Sequence, residues 1–310
     1  MKNALLLLSF FLFQTANFNA QDTDSLIIEN PVKLSAEKHN LADLQQEVFV
    51  LWVSEANPND VTKAWGRTME SGNKAKLESE GSKHQIMGAL MKEIDKSNTM
   101  NVYSEIIQQR NGVNLYVSFQ LSDSTWIDPN LDIDKTVKVE KLLAGFGEKI
   151  YIEVLNDKLS VENGQLKTLE KENNSNLKSQ GIEKKSIQSD SLSIFSTRNE
   201  IKLKKDEYTM TTDKLSKQRN YIASTNFTSN EEKKEANRLM KNIEKELKRI
   251  TNEIEKHQNR IINKEKDIKD SYYKIDQLKV EETEIMDKIT EQKSRVKRLE
   301  HEIYGLKNKS

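Results

Sequence analysis

Asp128, Asn130, Asp132 and Asp134 place four oxygen-bearing side chains at alternate positions of one short segment. That spacing matches the first half of a calcium loop, in which alternate oxygens close around a hard cation. The second half does not follow. Ile133 stands where the loop's sharp turn needs glycine, and Val139 stands where a closing glutamate would bind. The segment therefore reads as a turn entering a helix, with Asp134 as the N-cap. Four histidines, at 39, 84, 257 and 301, are scattered without a helical partner histidine or clustered ligands. There is no phosphate-cradling glycine loop and no nucleophile elbow. No residue is assigned to catalysis, to a cofactor or to a metal, and the chain reads as a non-enzyme. Trp52, Trp65 and Trp126 read as core or groove residues of a folded head. Lys293, Arg295, Lys297 and Arg298 alternate with Glu291, Glu300 and Glu302, the pattern of a solvated helix face.

His257, Lys264 and Glu282 are different, because they interrupt a heptad stripe. One line of that stripe holds Met240, Leu247, Ile254, Ile261, Ile268, Ile275, Glu282, Ile289, Val296 and Ile303. The other holds Ile243, Ile250, His257, Lys264, Ser271, Leu278, Ile285, Gln292, Leu299 and Leu306. A strict seven-residue repeat keeps one seam turned toward a partner helix, so the segment is a coiled coil. Polar residues on such a seam tune register or oligomer state at a cost in stability.

A second, weaker line runs upstream through Ile152, Leu159, Leu166, Asn173, Gln180, Ile187, Ile194, Ile201, Tyr208, Leu215 and Ile222. Its companion line is mostly polar after Leu169. Between the two periodic segments lies a short polar stretch, and Ser229 with Glu232 forms a capping box that restarts the helix. The reading is an antiparallel hairpin over residues 148–310 with its turn near 224–229. Placing Ile152 opposite Leu306 sets Leu159 against Leu299, Tyr208 against Ile250 and Leu215 against Ile243. Each arm of about 77 residues would then reach about 115 Å. Between these apolar ends, six consecutive layers each hold one polar member, Ile194 against Lys264 among them. A soft middle is expected, with residues 173–196 opening into a loop.

The head, residues 43–147, is expected to be a small α+β domain, an antiparallel sheet with two helices. Glu47–Val53 reads as a buried strand, and Asn57-Pro58-Asn59-Asp60 opens a helix bearing Val61, Ala64, Trp65 and Thr68. Residues 74–80 alternate like an edge strand, and 86–94 suits a short helix. Asn111-Gly112 marks a hairpin with a type I′ turn, whose central residues both need positive φ. The second helix carries Val137, Leu142, Leu143, Phe146 and Ile150, weakened by Gly145 and Gly147.

Composition bounds the remainder. Charged residues make up 32% of the chain, 49 basic against 49 acidic, which fits long solvated helices and not a basic nucleic-acid binder. The absence of cysteine excludes disulfides and thiolate chemistry. Lys2 followed by the apolar run Leu5–Phe13 reads as an export signal, residues 1–20, cleaved after Ala20 or Ala16. The run is too short for a span of about twenty residues, so no membrane span remains after cleavage. Residues 21–42 read as an irregular leader around Pro31. The location expected is the periplasm or the exterior of a bacterial cell. The sequons at Asn173 and Asn226 would matter only in a eukaryote.

Asn59-Asp60-Val61-Thr62-Lys63-Ala64-Trp65, the Asn111-Gly112 hairpin and the lysine- and glutamate-rich tail together resemble a group of uncharacterised exported bacterial proteins of the Bacteroidetes type. These join a signal, a small α+β head and a coiled-coil tail, and no activity comes with the resemblance. The expected function is that of an exported structural or interaction protein whose arm spaces or binds an envelope protein, with self-association as a further expectation. A periplasmic holdase-like chaperone is the alternative, and an adaptor of an export or cell-wall machine is the second.

Overall fold

The structure is a computed structural model that describes residues 30–122 and 124–308. The expected export signal lies outside the described residues. The chain divides into two compact units, Met1–Asp157 with Glu302–Ser310, and Lys158–His301.

The first unit is built on a six-stranded antiparallel sheet. Its strands are β1 (Val32–Leu41), β2 (Leu44–Ser54), β3 (Glu78–Glu80), β4 (Lys83–Ala89), β5 (Met100–Gln109) and β6 (Gly112–Leu121), in spatial order β1-β2-β6-β5-β4-β3. Helix α1 (Pro58–Glu70) follows β2, and α2 (Ile133–Ser224) begins beyond β6. Strand alternation divides the sheet into two faces. One carries Leu34, Phe49, Leu51, Val102, Leu115, Val117 and Phe119, matched by register across four strands. Val61, Trp65 and Met69 of α1 and Val139, Leu143 and Phe146 of α2 complete this core. Trp65 packs edge-on against Phe146 at 5.1 Å, and its indole N–H donates to Ser104 Oγ at 2.9 Å, so its polar atom is paired despite full burial. At Gly147 the α2 backbone lies close against the sheet. A Cβ there would stand 2.5 Å from Val32 Cγ1 and 2.9 Å from Leu51 Cδ1.

Several expectations are corrected here. Residues 32–41, within the expected irregular leader 21–42, instead form an edge strand in full register with β2. The positive-φ pair sits in that hairpin, at Ala42 (53°) and Asp43 (60°). The β5–β6 hairpin lies where Asn111-Gly112 indicated, but Arg110 and Asn111 form its turn and neither has positive φ. Gly112 begins β6, where a Cβ would meet the Val53 carbonyl oxygen. Residues 83–89 form a strand, because Ile86 and Ala89 turn inward at alternating positions interrupted by a bulge. Asp132 precedes the first residue of α2 and accepts from the Lys135 amide at 3.3 Å, so it caps the helix in place of Asp134.

The second unit is a pair of long helices, the continuing α2 and α3 (Asn230–Lys307), packed against each other. All twenty stripe positions from Met240 to Leu306 are buried or half-buried. Ser229 accepts from the Glu232 amide at 3.1 Å, and the Glu232 carboxylate accepts from both the amide and the hydroxyl of Thr228. The first of these bonds pairs one of the otherwise unpaired amides of the first turn of α3, and the others tie the entering chain to it. The expected loop over 173–196 is absent, since α2 is helical throughout. The serines that suggested a loop bond back to their own helix, Ser179 to the Ser175 carbonyl and Ser191 to that of Ile187.

Candidate interaction site

Three exposed ion pairs establish the register of the arm. Arg219 meets Glu244 at 2.9 Å, Arg198 meets Glu265 at 3.1 Å and Glu170 meets Lys293 at 3.8 Å. The steps agree on both helices: 21 residues from 198 to 219 and from 244 to 265, then 28 from 170 to 198 and from 265 to 293. One uninterrupted register therefore runs from Glu170 to Glu244, and it is the register that sets Ile152 opposite Leu306. Leu215 and Ile250 are buried, in line with the expected apolar layers near the tip.

The middle is organised by the companion line of α2, whose bonds cross between layers. This line carries Glu162, Leu169, Asn176, Glu183, Asp190, Thr197, Lys204, Thr211 and Gln218 at intervals of seven, all polar but Leu169. Several polar residues of one helix reach diagonally, past their own layer, to polar groups of the other. Gln292 donates to the carbonyl and the carboxylate of Glu162, at 2.9 and 2.5 Å. Gln180 donates to Glu282 at 2.7 Å and to Asn176 at 3.0 Å. Ser271 and Lys274 both donate to Glu183, at 2.9 and 2.5 Å. Lys264 pairs with Asp190 at 2.8 Å, His257 with Glu200 at 3.2 Å and Lys204 with Glu253 at 2.8 Å. Near the tip, Gln218 donates to the Ala236 carbonyl at 3.0 Å.

These contacts move the charges in a consistent direction. Hydrogen bonds from Lys274 and then Ser271 hold the Glu183 carboxyl below the usual carboxylate range. The bond to Asp190, then that to Asp267, raises the Lys264 ammonium above its ordinary value. Glu207 and then Glu253 do the same for Lys204. Asn173 is the exception. Its amide N–H reaches Met286 Sδ at 3.6 Å, while its buried Oδ1 has no hydrogen-bond partner.

The head has its own polar cluster, on the sheet face turned away from the helices. His39 Nε2 donates to Glu105 Oε2 at 2.8 Å and stacks on Tyr116 with ring centroids 4.0 Å apart. Ser82 donates to the other Glu105 oxygen at 2.9 Å. Because β1 and β5 are separated by two strands in the sheet, this contact requires strong coiling, which closes Leu41, Val48, Val50 and Tyr116 into a small second core. Burial raises the Glu105 carboxyl, but the bonds from His39 and Ser82 outweigh it and hold the group below its usual range. The carboxylate lies between the imidazole and the hydroxyl. A nucleophilic relay needs the imidazole between them, so this triplet is arranged to fix β1.

Among the sequence-selected residues, Asp128 and Asp132 each accept a backbone amide, from Asn130 and Lys135, as in a helix-entry turn. His84 is buried, receives or donates one bond at Ser79 Oγ, and is held below the usual histidine value by burial. Trp65 is core, whereas Trp52 lies under Lys33 and Trp126 against Tyr103 on the outer face. Arg295 pairs along its own helix with Glu291. Among the described residues no group of three or more acidic or histidine side chains could hold a metal ion, and no helix is long and apolar enough to cross a membrane.

The fold and site thus define an α+β head followed by a polar-laced helical hairpin. Comparison with family models, curated proteins and solved structures finds no match to this chain.

Proposed function

We propose that the protein is an exported interaction protein, working in the periplasm or outside the cell, whose helical arm spaces or binds an envelope protein. The observation that carries this reading is the paired seam. Most polar side chains of the arm's middle pair with one another, in one register, so the seam itself is occupied and the outer faces of the helices are left for a partner. A rigid, register-locked pair suits a spacer, because its two ends cannot slide relative to one another.

Crosslinking in the cell envelope, followed by identification of the copurifying protein, tests the proposal. A defined partner is expected with the full chain, and deleting residues 190–270, which shortens both arms together, should abolish its capture. Capture that is unchanged by that deletion would contradict the arm's role. A second reading, a holdase-like chaperone, is favoured by the exposed apolar side chains of α2, such as Ile182 and Phe195. Suppression of aggregation of unfolded outer-membrane proteins by the purified chain would support it over the spacer.

A further inference from the structure

The outer face of α2 carries a second apolar row, opposite the seam. Ile182, Leu192, Phe195, Leu203 and Met210 are each between 60% and 69% exposed. Their spacing is helical. Ile182, Ser189, Ser196, Leu203 and Met210 recur at intervals of seven, while Leu192 and Phe195 lie to one side of that line, about 40° and about 100° around the helix. Isolated exposed apolar residues are ordinary on any surface, but an aligned row on one face is not. Charge is also missing here. In a chain that is 32% charged, residues 186–197 hold one ionisable group, Asp190, and it is buried in the seam against Lys264. Charge depletion around aromatic and aliphatic anchors is the compositional mark of an interface centre.

The row is complementary to itself. A two-fold axis at Ser196 that brings two α2 helices together antiparallel sets Ile182 of each copy beside Met210 of the other, and Leu203 beside Ser189. The small Ser196 side chains meet at the axis, where they permit close approach, and Phe195 flanks them. The same operation sets Lys185 of each copy near Asp206 of the other, so the charges that bound the row attract in this orientation. In a parallel pairing Lys185 would face Lys185 and Asp206 would face Asp206, which repels. We propose that the arm self-associates through this outer face of α2, as an antiparallel two-fold dimer of hairpins with a second copy of this chain as the occupant.

The proposal rests on the reading of the arm as an interaction element, and it names the partner. The row spans about 42 Å, from 28 residues at about 1.5 Å each. At roughly 10 Å wide it offers on the order of 400 Å² per copy, below the usual stable interface, so association in the micromolar range is expected.

The chain has no cysteine, which makes single-cysteine crosslinking unambiguous. The full chain is followed by sedimentation velocity over a range of micromolar concentrations, together with mild oxidation of single variants. A concentration-dependent dimer is expected, with Ser196→Cys linking to itself efficiently. Ile182→Cys alone should not self-link, but it should link to Met210→Cys when the two variants are mixed. Phe195→Glu should weaken association by about tenfold or more, with helicity by circular dichroism unchanged. A monomer at every concentration, a dimer indifferent to Phe195→Glu, or self-linking by Ile182→Cys in preference to Ser196→Cys would each overturn the proposal. If Phe195→Glu still captures the envelope partner, the dimer fails or succeeds separately from the arm reading. If the partner is lost with Phe195→Glu while the wild-type chain is monomeric, the row belongs to that partner and the dimer is refuted.

Discussion

The two parts of the arm solve the same packing problem differently. Toward the tip, apolar side chains such as Leu215 and Ile250 are buried in the seam, and burial stabilises them without regard to which heptad faces which. In the middle, each layer contains one polar side chain, and Gln292, Ser271 and Lys264 donate diagonally to the carboxylates of Glu162, Glu183 and Asp190. A slip by one heptad would leave the tip layers apolar but would separate every one of these polar pairs. Leaving a buried polar group unpaired costs more than its hydrogen bond contributes when made. The difference teaches that the apolar layers supply stability, whereas the polar middle selects one register.

The largest expected effect lies in the apolar part. Ile250→Ala, at a fully buried position, should cost about 2–4 kcal/mol, read from urea or thermal unfolding. A negligible loss would mean that the tip layers are not packed.

Acid should act on the middle. The folded carboxyl of Glu183 titrates below its unfolded value, and so does that of Glu253, lowered first by its bond from Lys204. The stability they contribute is therefore present above the unfolded value, about 4.3, and is lost as pH falls through the lowered folded value. Lys204 and Lys264 are raised, so their contribution holds below the ordinary lysine value and is lost as pH climbs through the higher folded one. Thermal melts at pH 7 and pH 3 followed by circular dichroism should show an acid loss that is smaller in Glu183→Gln.

Replacing one diagonal pair, Glu183→Leu with Ser271→Leu, should raise the melting temperature while loosening the register, since apolar layers do not distinguish heptads. Asn173→Leu removes the unpartnered acceptor and should stabilise the arm by about 1 kcal/mol. Arg198→Ala should fall at the bottom of the series, at about 0.5 kcal/mol or less, because its pair with Glu265 is exposed and screened.

Periodicity made the α3 seam legible because every position of the repeat is buried or half-buried against one partner, and Asn57 and Ser229 announced their helices through their own side chains. What escaped depended on long-range placement. β1 reads as polar because it is an edge strand, with Lys33, Glu37 and Lys38 free to stay solvated beside Val32 and Leu34. The turn at Ala42-Asp43 carries no glycine to mark it. The serines of α2 resemble a loop by composition, yet their hydroxyls are absorbed by the preceding turn of the helix. The polar line from Glu162 to Gln218 reads as a weak seam within any one layer, whereas its bonds cross between layers. The candidate interaction row on the far side of α2 was present in the sequence throughout, hidden by the stronger seam.

The single register of α2 against α3 is tested most directly by cysteine pairs in this cysteine-free chain. Asn173→Cys should form an intramolecular disulfide with Met286→Cys on mild oxidation, since these side chains touch at 3.6 Å. The same cysteine paired with Lys279→Cys or Lys293→Cys, one heptad to either side, should remain unlinked. Equal linking at all three positions, or linking only between separate molecules, would contradict a register-locked hairpin.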